Sequence, residues 1–135
     1  MDLHKIAKDF FNEIWNEKNE SAIDKFIAEN AAGNDPKFGV GRESFRAQWK
    51  NWLIGFPDLN FEVKEIIAEN NLVVSRWTLT GTNSGPFRGK PATNKRVAVD
   101  GVSIDRIENG QVASGFDAWD ELGFLNQLGW VDKQN

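Results

Sequence analysis

The sequence predicts an α+β fold in which N-terminal helices pack on one face of a curved, mainly antiparallel sheet. Three observations carry this reading. Apolar residues recur at helical spacing as far as Phe56, they alternate with a period of two from Leu59 onward, and no linker, repeat or low-complexity tract divides the chain. With 135 residues the chain makes one domain, 1–135, able to bury about two thirds of the surface its unfolded form exposes.

The first helix is marked by Leu3, Ile6, Ala7, Phe10, Phe11 and Ile14, with polar residues through Lys18 on the far side and a break at Asn19 to Ser21. A second, short helix turns Ile23, Phe26 and Ile27 inward. The small and polar run that follows Glu29 fits a brief strand ending at the turn Asn34-Asp35-Pro36. Phe45, Trp49, Trp52, Leu53 and Phe56 then define a third helix, which Pro57 stops. The Gly39-Val40-Gly41 entry to that helix lacks the third glycine of a dinucleotide fingerprint, Ser44 standing in its place, so it reads as a glycine-rich helix entry.

In the second half, Phe61 and Val63 alternate with charged residues, and Glu69-Asn70-Asn71 turns the chain into a strand over Leu72 to Thr80. Gly81 to Asn94 is a loop rich in Gly and Pro, and Val97 begins the next strand. The last hairpin turns at Asn109-Gly110, a pair that tolerates the positive φ of a two-residue loop, and a short closing helix follows it. Gly101, Ser103, Asp105 and Ile107 share one face of its first strand; Ala113, Gly115, Asp117 and Trp119 share one face of its second. Small residues with carboxylates make an unusual core and a natural cavity lining.

Composition removes whole classes of function. There is no cysteine and a single histidine, His4, in the first helical turn, so disulfides, thiolate nucleophiles and the usual zinc ligand sets are excluded. A net charge of -4 with a pI near 5.0 argues against nucleic acid as the main partner. No apolar run reaches transmembrane length, and the charged N-terminal residues do not read as a signal peptide, so the sequence is read as cytoplasmic. No tyrosine is present to serve as a phenolic catalyst. Neither a metal nor a cofactor is expected.

Across nearly its whole length the chain resembles the SnoaL-like polyketide cyclase branch of the nuclear transport factor 2 superfamily. The resemblance rests on Phe56-Pro57-Asp58, Arg76-Trp77-Thr78 with Gly81-Thr82, Gly89-x-Pro91-x-Thr93 before Lys95-Arg96-Val97, Asp105 to Gly110, and Trp119-Asp120-x-Leu122-Gly123 with Gln127-Leu128-Gly129. It implies a cone-shaped NTF2-like fold enclosing a pocket, and a homodimer formed through the sheet. For that dimer, Val102 and Ile104 face away from the cavity side, beside Val74 and Phe116, as a candidate interface.

The resemblance also places a general acid/base at Asp117, near the end of the last strand, acting on an intramolecular aldol closure. The histidines that commonly accompany it are replaced by Ser103 and Asn34, which hydrogen-bond but do not titrate near neutrality. Sites resembling limonene-epoxide hydrolase, ketosteroid isomerase or scytalone dehydratase are incomplete, because Thr78 replaces an aspartate and the required tyrosines and histidines are missing. Two readings stand: a cofactor-free enzyme in which Asp117 moves protons on a small, largely apolar carbonyl compound, and a non-catalytic module binding a hydrophobic ligand among Trp49, Trp52, Phe56, Trp77 and Trp119. Asp117 and Asp120 are also candidate caps of the closing helix, and Asp105 either joins the cavity or pairs at the strand edge. Arg88, Lys90, Lys95 and Arg96 form either a solvated loop or an attractor for an anionic substrate.

Overall fold

The computed structural model describes residues 1–131. Helices α1 (Leu3–Phe10), α2 (Ser21–Phe26), α3 (Arg42–Gly55) and α4 (Glu121–Leu128) accompany strands β1 (Ile27–Gly33), β2 (Asn60–Glu69), β3 (Leu72–Thr82), β4 (Arg96–Glu108) and β5 (Gln111–Trp119). The strands form one unclosed, curved, mixed sheet in the order β1-β5-β4-β3-β2, with β1 parallel to β5 and every other pair antiparallel. This is the expected α+β architecture. Among the described residues no helix is long and apolar enough to cross a membrane.

Burial explains the layering. On β3, Val73, Ser75, Trp77 and Leu79 are buried while residues between them are less so, and β4 buries Val97, Val99, Gly101, Ser103 and Ile107 in the same alternation. Helices cover that face, so a strand residue points to the core or to the outside by parity alone. The α4 helix lies against β4 beyond the end of β5, where the Gln127 side-chain amide takes the place of a strand: Ala98 N donates to its Oε1 at 2.7 Å and its Nε2 donates to Ala98 O at 3.1 Å. The unpaired end of β4 is thereby closed.

Four local features differ from the sequence reading. The first helix does not run uniformly to Lys18; after Phe10 it widens into a π-helical segment, Phe11–Asn16, which brings Phe11, Ile14 and Trp15 inward together. The first strand begins at Ile27, directly at the end of α2. The third strand extends through Thr82, shortening the following loop. On β5 a bulge shifts the register, with Arg106 opposite Ser114 but Ile107 opposite Val112. Buried Val112 therefore takes the inward place expected of Ala113. The turns conform to their sequences: Asn109 and Gly110 have φ of 53° and 77°, and Asn70 has φ of 56°.

The loop between β3 and β4 is built around one side chain. Asn83 is fully buried; its Nδ2 donates to Gly85 O at 2.9 Å and Gly55 O at 3.2 Å, and its Oδ1 accepts from Thr93 N and Thr93 Oγ1 at 2.8 and 2.9 Å. That fixes the loop to the end of α3. Asn83→Ala strands several buried polar groups, so chemical denaturation should show a loss of about 2–4 kcal/mol, against under 1 kcal/mol for an exposed control such as Asn60→Ala.

Candidate active site

Three successive cross-strand rows on the covered face of the sheet build the site. Register places Trp77, Gly101 and Trp119 side by side across β3, β4 and β5; then Ser75, Ser103 and Asp117; then Val73, Asp105 and Gly115, with Gly33 of β1 next to Gly115. Each glycine makes room for a neighbour. A Cβ on Gly101 would collide with the Trp77 ring, and one on Gly115 would lie 2.7 Å from Asp105 Oδ1. In the middle row, Trp77 Nε1 donates to Ser103 Oγ at 2.9 Å. The serine hydroxyl thus keeps its own proton available to Asp117, opposite it on β5, and holds that carboxyl lower. The adjoining Ser75 Oγ is buried with no hydrogen-bond partner among the described residues.

Above these rows lies a cavity of about 150 Å³, lined by Phe10, Trp15, Phe45, Trp52, Phe61 and other apolar side chains together with Ser103, Asp105 and Asp117. An apolar cavity of this size holds roughly one benzene ring. Asn34, Trp52, Trp77 and Trp119 also line it. Trp49 and Phe56 do not: both are core residues, Trp49 donating from Nε1 to Ile14 O at 2.8 Å and Phe56 closing the end of α3 beneath Trp52 and Phe124. Asn34, at the end of β1, is engaged by backbone, its Nδ2 donating to Asp117 O at 2.9 Å and its Oδ1 accepting from Asp117 N at 2.8 Å. It pins the segment that carries Asp117. Asp120, not Asp117, caps α4, accepting from Gly123 N at 2.8 Å.

The electrostatics of the two inner carboxyls follow from this placement. Asp105 is pushed up to about 8, first by burial and then by the charge of Asp117. No described residue donates a hydrogen bond to relieve it, and the two glycines beside it contribute only backbone. Asp117 is also raised by burial, with the Ser103 hydrogen bond opposing that shift and the charge of Asp35 adding to it. It nevertheless keeps more water-accessible surface than Asp105 and so loses its proton first. Asp35 on the cavity wall, read in the sequence only as part of a turn, is thus a member of the site. Its signal was its position next to Asn34, the residue that reaches Asp117. Among the described residues, no group of three or more His, Cys, Asp or Glu side chains is placed to hold a metal ion.

A family model, SnoaL-like polyketide cyclase, matches residues 5–128. The chain belongs to the SnoaL-like polyketide cyclase family. Among solved structures it is similar to TsrD from Streptomyces laurentii, at 28% identity and TM-score 0.87, covering 97% of this chain and 99% of that one. A candidate polyketide cyclase from Acidithiobacillus ferrooxidans matches at 25% identity and TM-score 0.83, covering 98% and 100%. AclR from Streptomyces galilaeus, described as a candidate hydroxylase, matches at 27% identity and TM-score 0.82, covering 98% and 87%. No curated protein matches the chain. Structures similar to this chain therefore carry different named chemistries, and the reaction has to be argued from the site.

The raised Asp105 has a consequence for stability that requires no substrate. Its carboxyl ionises near 3.8 in the unfolded chain and near 8 in the folded one, so between these values the unfolded state releases a proton the folded state retains. Stability should fall as pH rises across that window, with the full penalty above pH 8. Asp105→Asn should abolish much of this slope and become more stable than wild type by a few kcal/mol at pH 8.5, with little difference at pH 3.5. Denaturation at the two pH values checks it.

Proposed function

We propose that this SnoaL-like protein is a cofactor-free enzyme that performs proton transfer on a small, largely apolar carbonyl compound, as in an intramolecular aldol closure. The observation that supports it is the pair of unequal carboxyls, Asp117 and Asp105, lining one apolar cavity. Near neutrality Asp117 ionises first and is the base, while Asp105 retains its proton and is the acid. Asp117 removes a proton from the carbon beside a carbonyl, leaving an enolate. As the enolate carbon bonds to a second carbonyl carbon, that carbonyl's oxygen takes the Asp105 proton. The dyad ends with its proton moved from Asp105 to Asp117, and exchange through water resets it. Trp52, Trp77 and Trp119 supply the apolar walls, and Ser103 orients Asp117.

The second reading, a ligand-binding module without turnover, is favoured by one observation. The polar groups standing where related cyclases have histidines are committed to structure, Asn34 to the Asp117 backbone and Ser103 to Trp77. The enzyme reading answers this by giving the acid role to Asp105.

We further propose that the protein acts as a homodimer through the outer face of the sheet. Register places Ile67, Val74, Ile104 and Phe116 in one row across β2, β3, β4 and β5, and Ile67, Ile104 and Phe116 are 61%, 37% and 52% exposed. An apolar stripe four strands wide fits a two-fold contact with a second copy.

Two measurements test these proposals. Phenylacetone, whose ring fits the cavity, should exchange its benzylic protons for deuterium in the presence of wild-type protein. Asp117→Asn should lower that rate by about 10²- to 10⁴-fold, the usual worth of general acid/base catalysis. The rate should rise with ionisation of Asp117 and fall as Asp105 loses its proton toward pH 8. An unchanged rate in Asp117→Asn refutes the enzyme reading. For assembly, sedimentation should give a dimer for wild type and a monomer for Phe116→Lys, which places a charge in the middle of the stripe; a wild-type monomer at micromolar concentration ends that proposal.

A further inference from the structure

The 150 Å³ cavity accommodates one ring, yet its wall continues into a second depression of about 560 Å³ between the turn after β1, α3 and the loop that follows β3. Asp35, Phe38 and Trp52 line both, so the two spaces lie on either side of these side chains. A substrate larger than one ring finds the outer groove directly beside the cavity.

The two chambers differ in charge. The inner one carries Asp35, Asp105 and Asp117 and no cationic side chain. The outer one carries Lys37 and Arg88 beside the shared Asp35, so its cationic side chains outnumber its one carboxylate. Arg88 lies over the rings of Phe87, Trp52 and Phe124, with its guanidinium carbon 5.1, 5.8 and 5.7 Å from their centroids. It is held in this place by a left-handed backbone conformation, φ 51°, that a non-glycine residue adopts only at a cost. Its side chain is 25% exposed. Among the described residues it makes no hydrogen bond; its nearest carboxylate oxygen, Glu121 Oε1, is 3.9 Å away and already accepts from Lys37 Nζ at 3.0 Å. Both cations reach the same oxygen, so their charges lie within about 7 Å of each other. A guanidinium stacked on aromatic rings keeps its in-plane N–H donors for an acceptor, and carboxylate geometry suits that fork.

We infer that the outer groove binds the carboxylate of the substrate through Arg88 and Lys37, so that the substrate is an amphipathic keto acid with its ring and reacting carbonyl in the inner cavity and its anionic end outside. The inner carboxylates repel an anion and the outer cations attract it, which orients the molecule in one direction. The proposal rests on the inner cavity being the reaction chamber. The basic loop residue Arg88 thereby acquires a role that Lys90, Lys95 and Arg96, absent from the groove lining, do not share.

The test uses 4-phenylbutanoate and its neutral near-isostere 4-phenylbutanamide, with dissociation constants from calorimetry at low salt. Wild type should bind the carboxylate about tenfold more tightly than the amide, the worth of one charge-assisted contact at a partly exposed site. Arg88→Gln should erase that preference by weakening the carboxylate alone, and Lys37→Gln should reduce it. Because Arg88→Gln also alters aromatic packing, Glu121→Gln supplies a gain-of-function arm: removing the competing carboxylate should tighten 4-phenylbutanoate several-fold and leave the amide unchanged. Raising the salt to 0.5 M should shrink the preference in wild type. Equal affinity for the two probes, no saturable binding of the carboxylate by wild type, or an unchanged preference in both Arg88→Gln and Glu121→Gln overturns the inference. Asp117→Asn separates it from the enzyme reading, since that variant should slow proton exchange on phenylacetone by about 10²- to 10⁴-fold while still preferring 4-phenylbutanoate.

Discussion

The site depends on the missing side chain at Gly101. Trp77 and Trp119 flank this residue in register, and the Trp77 ring occupies the volume a Cβ would fill. Lying there, the indole directs its N–H at Ser103, two residues along β4 on the same face, and Ser103 in turn faces Asp117. A packing constraint thus becomes a hydrogen-bond direction, and that direction sets the environment of a carboxyl. The same device recurs one row further on, where Gly115 and Gly33 leave Asp105 without a side chain directly opposite it on β5 or beyond that on β1. Asp105 is half-buried among groups that donate it no hydrogen bond, and this desolvation is why its proton is held.

Such an arrangement opposes stability. A carboxyl kept from water without a donor weakens the fold wherever the unfolded chain would ionise, and Ser75 Oγ adds a second uncompensated polar group nearby. The aromatic core surrounding the cavity offsets them. Phe10, Phe11, Trp15, Phe45 and Phe61 make edge-to-face and tilted contacts on one side, and Trp52, Phe56, Phe87 and Phe124 do so on the other. Stability is concentrated in this apolar shell, while the unfavourable polar groups gather on a few inner positions of β3, β4 and β5. That separation is what a functional cavity requires.

Much of this was legible in the sequence because strands report their faces by parity. The inward set Gly101, Ser103, Asp105 and the set Gly115, Asp117, Trp119 follow from alternation once Asn109-Gly110 fixes the turn. Alternation fails at Ala113, since Ala113, Ser114 and Gly115 are all small and nothing in their order marks a bulge. Periodicity also could not sort the aromatics of α3. Trp49 and Trp52 lie three residues apart on one helical face, and the crossing of α3 over the sheet decides that one meets Ile14 and the other the cavity. The cluster of Lys37, Arg88 and Glu121 was illegible for a different reason: its members come from three separate segments, and only Arg88 stood in a basic run that drew attention.

On the proposed enzyme reading, Ser103 and Asn34 at positions where the resemblance implies histidines move the source of the acid to another side chain while leaving acid–base chemistry possible. An imidazolium is a useful proton donor because it holds its proton near neutrality. A carboxylic acid can occupy that role only if its surroundings raise it by several units, and a partly hydrated serine-lined wall would not do so. Asp105 meets the requirement through two features absent from an ordinary strand carboxylate: glycines on its open flank and an ionisable neighbour, Asp117, whose charge disfavours a second one. Ser103 then has a reason to replace a titrating group between them. It keeps the Asp117 carboxyl lower, so on this reading the two acids separate in their order of ionisation where a histidine would have offered its own charge to both.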